Sequence, residues 1–230
     1  MPPPRLAAVI PTLNARARLS QTLACLHEAQ SAGLLADLVV SDGGSGDGTR
    51  DLAMAAGARV VSGPPGRGGQ LARGATAASP AADWFLFLHG DTALASGWTA
   101  EANTHMRAGP GAAGYFRFAL DDVSPAARRL EAMVAWRSRR LGLPYGDQGL
   151  LISRSLYDSL GGFRSLPLME DVDMVRRIGK ARLRPLAAAA TTSAERFRRD
   201  GYWLRSARNL ACLGLYFAGA PAAWIKRVYG

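Results

Sequence analysis

The feature that most constrains this chain is the alternation of short apolar runs with helix-patterned segments through its first half. Leu6–Ile10, Leu38–Val40, Arg59–Val61 and Trp84–Leu88 have the length and content of buried strands. Leu19–Ala32, Thr49–Ala56 and Gln70–Ala78 fall between them with helical spacing, and Trp98–Arg107 follows the fourth run. Repetition of this kind builds βαβ units, in which helices cover both faces of a parallel sheet. The spacing therefore predicts an α/β fold.

Beyond the first half the pattern loosens. Residues 112–120 predict another strand, and Val123–Leu141 a helix with Arg128, Arg129, Arg137, Arg139 and Arg140 on its wet side. Gly149–Ile152 reads as a strand and Arg154–Leu160 as a helix. Val172–Ile178 reads as a helix opened by Glu170 and Asp171, whose charge suits a helix N-terminus. From Tyr202 an amphipathic to apolar helical region runs onward, broken near Pro221. The alanine-rich stretches read as filler in helices or strands. The expected division is a catalytic-type domain over 1–201 and a helical extension over 202–230.

Charge divides the chain differently from hydropathy. The 230 residues carry a net charge of +10. Residues 1–175 hold sixteen basic and sixteen acidic side chains, whereas residues 176–230 hold twelve basic side chains against Glu195 and Asp200. Only Lys180 and Lys226 are lysines, so the excess is arginine, which grips phosphates with a planar fork. A basic chain suits nucleic acid, an anionic membrane surface or a phosphate-bearing substrate. Cys25 and Cys212 give neither a disulfide framework nor metal-finger spacing, so a reducing, cytoplasmic compartment is the expectation. The charge-free stretch Asn209–Ile225 contains Gly214, Gly219 and Pro221 and is too short and broken to predict a spanning helix.

In an open α/β sheet, ligands bind beyond the carboxyl ends of the strands. The first strand ends in Pro11-Thr12-Leu13-Asn14, and the second in Ser41-Asp42-Gly43-Gly44-Ser45-Gly46-Asp47-Gly48-Thr49. The fourth ends in His89-Gly90-Asp91-Thr92. Carboxylates at several strand ends would converge on one crevice. The chain lacks G-x-G-x-x-G, G-x-x-x-x-G-K-[ST] and G-x-S-x-G, which argues against dinucleotide, P-loop and α/β-hydrolase chemistry.

The run Val9–Asn14 resembles the opening of glycosyltransferase family 2, and Val39–Thr49 resembles that family's second-strand turn. Phe87–Thr92 stands where the family has its D-x-D, and Met169-Glu170-Asp171 resembles its later Glu-Asp motif. The four motifs occur in family order across roughly residues 6–180. Gly66-Arg67, Gln70 and Tyr145–Gly149 are similar to a subgroup labelled arsenosugar-biosynthesis, or radical-SAM and selenodomain-associated, glycosyltransferases.

The resemblance implies a GT-A-type, mostly parallel nucleotide-binding sheet and a hexosyltransferase using a nucleotide-sugar donor, expected to be a UDP-sugar, with inversion. Asp91 and His89 would hold Mn2+ or Mg2+ at the diphosphate, and an imidazole suits manganese better than magnesium. Pro11, Thr12, Asn14 and Asp42 would line the nucleoside pocket, with Arg67 reaching the diphosphate and Gln70 supporting it. Asp171 would be the general base, Glu170 would bind the acceptor, and Asp147 and Gln148 would shape the acceptor site. Asp42 also reads as an Asx turn, and Asp47 as a cap for the helix at Thr49. Arg196, Arg198 and Arg199 are candidates for closing over the diphosphate or resting on a membrane face.

Two other functions compete. A sugar-phosphate nucleotidyltransferase would share the sheet, but it needs a glycine-rich basic loop after strand one, where Asn14–Arg18 stands. A binding module without catalysis would use the arginine-rich C-terminal region on an anionic membrane, at the inner face of a cytoplasmic membrane. Nucleic acid is not the expected partner, because the strand ends bear carboxylates.

Overall fold

The computed structural model describes residues 4–166 and 168–229, so the first three residues and Gly230 of the expected extension lie outside it. Among the described residues eight strands form one sheet in the order β3-β2-β1-β4-β7-β6-β8-β5. β1 (Leu6–Thr12), β2 (Leu35–Asp42), β3 (Arg59–Ser62) and β4 (Trp84–Phe87) stand where the apolar runs predict them and pair in parallel. They are joined by α1 (Arg16–Ser31), α2 (Thr49–Ala55) and α3 (Arg67–Ala77).

The continuous apolar character of β1 has a direct cause in packing. Leu6, Ala8 and Ile10 point to one core, shared with Leu86, with Leu19, Leu23 and Leu26 of α1, and with Trp98, Ala102 and Met106 of α4 (Trp98–Arg107). Ala7 and Val9 point to the other core, shared with Phe85, Phe87, Leu71 and Ala75 of α3, and Met174 and Val175 of α7 (Glu170–Ile178). Alternate residues of Leu6–Ile10 thus enter two cores, so none of these five positions is free to be polar. Gly74 lets α3 lie on β1, since a β-carbon there would collide with Val9 Cγ1.

The second half of the sheet is mixed. β7 (Leu150–Ser153) runs antiparallel to both β4 and β6 (Ala113–Leu120). β8 (Leu183–Thr192) is parallel to β6 and antiparallel to β5 (Thr92–Leu94). Four of the seven strand pairings are parallel. Neither β5 nor β8 is anticipated by the sequence patterning. β5 is three residues long, and β8 contains Pro185 and a run of alanines. Proline cannot donate to a ladder, and the β6–β8 register shifts between Tyr115 and Arg117, beside Pro185.

α5 (Pro125–Leu141) begins as its sequence dictates: Ser124 caps it by accepting from Ala127 N, and Pro125 occupies the first turn. α6 (Arg154–Ser159) follows β7, and α8 (Glu195–Asp200) follows β8. α9 (Tyr202–Phe217) and α10 (Ala222–Tyr229) are separated at Pro221, as expected. α9 packs against α5, α8 and α10, and its Leu213 and Tyr216 lie on the core that contains Met174 and Val175. No helix among the described residues is long and apolar enough to cross a membrane.

Candidate active site

The chain leaves β1 for β2 and β3 on one side and returns at β4 on the other, so strand order reverses between β1 and β4. A crevice opens beyond the carboxyl ends at such a point. The turn after β4 lies close to β1, because a β-carbon at Gly90 would meet Pro11 O and Thr12 Cγ2 at 3.5 Å.

One wall of the crevice is the joined ends of β1 and β2. Asp42 is completely buried. Its Oδ1 accepts from Thr12 Oγ1 at 3.0 Å and Ser45 Oγ at 2.5 Å, and its Oδ2 accepts from Gly44 N at 2.9 Å and Ser45 N at 2.8 Å. Burial works to raise its pKa, yet the Ser45 hydroxyl and these amides hold it below the ordinary value. Asn14, at φ 49°, accepts from Gly46 N, while its own N–H donates to Ser45 Oγ. Asp47 accepts from Arg16 N and Thr49 N, fastening the start of α1 to the start of α2. Gln70 donates to Thr12 O at 2.7 Å and Ser41 O at 2.8 Å and accepts from Gly66 N at 3.1 Å.

Pro11, Thr12, Asn14, Asp42 and Gln70 do come together, but the side chains of Thr12, Asp42 and Gln70 are engaged internally. Four donors reach the Asp42 carboxylate, two of them the backbone amides of the Asx turn that its sequence also predicts. Gln70 ties three backbone segments together, among them Gly66, the residue before Arg67. Backbone and turn shape are what this wall presents.

The opposite wall is acidic. His89 and Asp91 follow β4, Asp147 lies in a 3-10 turn (Gly146–Gln148), and Glu170 and Asp171 open α7. Gly146 permits their convergence: a β-carbon there would stand 2.5 Å from His89 Nε2 and 3.4 Å from Asp171 Oδ2. Asp171 Oδ2 accepts from Gly146 N at 2.8 Å and Oδ1 from Val172 N at 2.7 Å. Asp91 makes no hydrogen bond among the described residues. A cavity of about 30 Å³ lies beneath, lined by Phe87, His89, Tyr145, Gly146, Glu170 and Asp171 among others.

Glu170 is fully buried, and its Oε1 accepts from Arg67 Nη1 at 3.3 Å. The contact exists because the first turn of α3 meets that of α7: a β-carbon at Gly68 would stand 3.1 Å from Glu170 Cβ. Glu170 Oε2 and Asp147 Oδ1 are buried without a partner among the described residues. Burial, and then the charge of Asp171, push Glu170 up to about 7 against the pull of Arg67. Burial pushes Asp147 up to about 6, with Arg137 pulling it down and Asp171 and Asp91 raising it. Burial, helped by Arg67 and Arg196, holds His89 well below its ordinary value, so the imidazole is neutral at neutral pH.

Other expectations meet different fates. Gln148 is buried, accepts from Ser138 Oγ and Tyr145 N, and donates to Phe116 O. It anchors the 3-10 turn through its Oε1 and one of its two amide N–H groups. Of the three arginines in α8, Arg198 contacts Asp121 and Arg199 pairs with Asp200, whereas Arg196 acts on His89. Arg137 is a residue the sequence expectation misplaces. It stands on the inner side of α5, with Nε donating to Leu143 O and its guanidinium 3.5 Å over the Tyr145 ring. Its position three residues after buried Val134 was the available signal.

No three His, Cys, Asp or Glu side chains form a metal cage among the described residues. A divalent cation at a diphosphate does not require one, because phosphate and water oxygens complete its shell.

Comparison with known proteins places the arrangement. Residues 7–166 match the model of glycosyl transferase family 2. No curated protein matches the chain. Among solved structures, glucosyl-3-phosphoglycerate synthase from Mycobacterium tuberculosis, in complex with Mn2+, UDP and glucosyl-3-phosphoglycerate, is similar at 23% identity. That match has a TM-score of 0.65 and covers 95% of this chain and 81% of the synthase chain. Residues 1–349 of S. aureus TarS are similar at 13% identity and TM-score 0.62, covering 98% of this chain and 69% of that one. The longer TarS chain is covered over 42% of its length. These likenesses are of fold, and the family match covers well over half of the chain, including His89, Asp91 and Asp147 and ending before Glu170 and Asp171. The chain belongs to glycosyltransferase family 2.

Proposed function

We propose that the protein transfers a sugar from a nucleoside diphosphate donor, a UDP-sugar, to an acceptor hydroxyl with inversion at the anomeric carbon. The observation that carries this is the pairing of two walls at one strand-order reversal. One is a rigid, internally hydrogen-bonded turn; the other brings His89, Asp91, Asp147, Glu170 and Asp171 together with unused oxygen atoms.

A divalent cation fits this chain. Asp91 has no competing hydrogen bond among the described residues, and a neutral imidazole at His89 is in the ligand form. These two would hold Mn2+ or Mg2+, which would supply positive charge to the leaving diphosphate. Arg67, anchored by Glu170, and Arg196 bring further positive charge to the same place. Asp171, oriented by Gly146 N and Val172 N, takes the acceptor's proton as the new glycosidic bond forms and the bond to the diphosphate oxygen breaks. Asp147, with Arg137 behind it, lines the acceptor side.

The mycobacterial synthase was solved in complex with Mn2+ and UDP, which supports this choice of cation and base. The finer subgroup, the arsenosugar-biosynthesis type, rests on His89–Thr92, Gly66-Arg67 with Gln70, and Tyr145–Gly149. We read residues 1–201 as the catalytic unit and 202–230 as an extension built onto α5 and α7. Two unpaired thiols, Cys25 and Cys212, support a reducing, cytoplasmic setting.

Thermal denaturation with a panel of nucleotide sugars, with and without Mn2+, tests the proposal. A UDP-sugar with Mn2+ at a hundred times its dissociation constant raises stability by about 2.7 kcal/mol. Absence of any donor-dependent rise, or release of pyrophosphate from a nucleoside triphosphate and sugar phosphate, would overturn it.

A further inference from the structure

α9 has one seated side and one open side. Arg205 and Cys212 are buried, and Leu213 and Tyr216 pack toward α7. Trp203, Ala207, Leu210, Gly214 and Phe217 follow at spacings of four, three, four and three, which is one face of a helix, and all are exposed. The large members are open to a degree unusual for apolar groups: Trp203 83%, Leu210 69% and Phe217 50%. α10 is held to α9 through buried Ile225 and Cys212 and exposes Trp224 and Val228, one turn apart. α5, packed against α9, exposes Met133 and Trp136 on the face that also carries Arg129 and Arg140.

Charge selects the occupant of this apolar face. The whole net charge of +10 comes from residues 176–230. The two acids of that segment are used internally, Glu195 by Arg18 and Asp200 by Arg199 and Arg205. Arg129, Arg139, Arg140, Arg208 and Arg227 make no ion pair among the described residues. A second copy of the chain would set arginine against arginine. A bilayer with anionic headgroups accepts both the indoles and the guanidiniums, since tryptophan favours the interface and arginine the headgroup phosphates.

We propose that the face made by α9, α10 and α5 docks this protein on an anionic lipid bilayer. Trp203, Leu210, Phe217 and Trp224 enter the interface, and Arg129, Arg140, Arg208 and Arg227 lie at headgroup level. The inner side of α9 rests on α7, which opens with Glu170 and Asp171, so the docked face is one helix away from the acidic wall.

Flotation of the full chain with vesicles of phosphatidylcholine alone, or mixed with phosphatidylglycerol, tests this independently of any donor. The protein floats with the mixed vesicles and is released by salt. Trp203→Ser/Leu210→Ser/Phe217→Ser lowers partitioning about a hundredfold or more. Arg129→Gln/Arg140→Gln/Arg208→Gln/Arg227→Gln lowers it about fivefold per arginine. Circular dichroism melting checks that the fold is kept, and Trp203→Ser alone, at the most exposed position, serves if the triple variant melts early. Three results overturn the proposal: wild-type protein left in the dense fraction with both vesicle types, partitioning unchanged in the apolar variants, or a dimer in solution that the same substitutions dissolve while vesicle binding is absent.

Discussion

The two walls of the crevice are built from similar residues to opposite ends. At β1 and β2, Asp42 receives four hydrogen bonds and Gln70 spends its amide on three backbone segments. Across the crevice, Glu170 and Asp147 each keep a buried oxygen without a partner among the described residues, and Asp91 makes no hydrogen bond there. A saturated carboxylate is satisfied within the fold, whereas a buried oxygen without a partner carries an energetic cost that a bound ion, water or ligand would relieve. Identity of residue type therefore does not assign a role; the inventory of partners does.

The widest gap between the walls is expected in catalysis. Asp171→Asn keeps the shape at Gly146 and removes the proton acceptor, and Asp91→Ala removes the free carboxylate. Each is expected to lower the transfer rate about a thousandfold while leaving the melting temperature near that of the parent. Steady-state transfer assays beside melting curves check this. Wild-type turnover in either variant would remove that residue from the acidic machinery.

The clasp should answer in stability. Asp42→Ala strands Thr12 Oγ1, Ser45 Oγ and two backbone amides in a buried turn, and is expected to cost about 3 kcal/mol. Gln70→Ala leaves Thr12 O and Ser41 O without the amide they share and is expected to cost about 2 kcal/mol. Urea unfolding measures both. An Asp42→Ala protein of unchanged stability that lost donor affinity would show Asp42 to be a ligand-contacting residue after all.

Glu170 allows a pH test of the same contrast. Its carboxyl is raised from an ordinary 4.5 to about 7 in the folded chain. Between those values the unfolded chain binds fewer protons than the folded one, so this group makes stability fall as pH rises, with no further change above about 7. Glu170→Gln retains an acceptor for Arg67 and abolishes that slope. Unfolding free energies from about pH 4.5 to 7 should diverge in favour of the variant, by 1–3 kcal/mol in order of magnitude. Parallel profiles would mean that Arg67 already compensates the buried charge in full.

The first four strands and their helices were legible in the sequence because β1, β2 and β4 each carry a buried apolar run, Leu6–Ile10, Val39–Val40 and Trp84–Phe87, covered on both faces. β8 was not, because Pro185 and four alanines hide a strand whose pairing is set by β6 and β5 rather than by its own propensity. The acidic wall was legible as a set of motifs at strand ends. The roles within the crevice were only partly so. The Gly-rich turn after Asp42 signals its Asx contacts to Gly44 N and Ser45 N, but nothing local says that Thr12 also reaches it, or that Asp91 meets no partner among the described residues. Arg137 was hidden among four other arginines of α5, and only its helical phase relative to Leu130 and Val134 separates it from them.

α8 holds the finest version of the contrast, three arginines within four residues. Arg199 lies at the surface beside Asp200, and Arg198 reaches Asp121. Exposed pairs of this kind contribute little, because solvent screens them and two long side chains must be held still. Arg196 makes no ion pair among the described residues, and its charge acts on His89. Arg199→Ala is therefore expected to leave both melting temperature and transfer rate as they are. Arg196→Ala is expected to leave the melting temperature as it is and to raise the donor KM several-fold, with kcat less affected, because positive charge near the diphosphate is lost while the general base is intact. Equal kinetics in the two variants would place Arg196 with the surface arginines and leave Arg67 as the chain's own cation for the diphosphate.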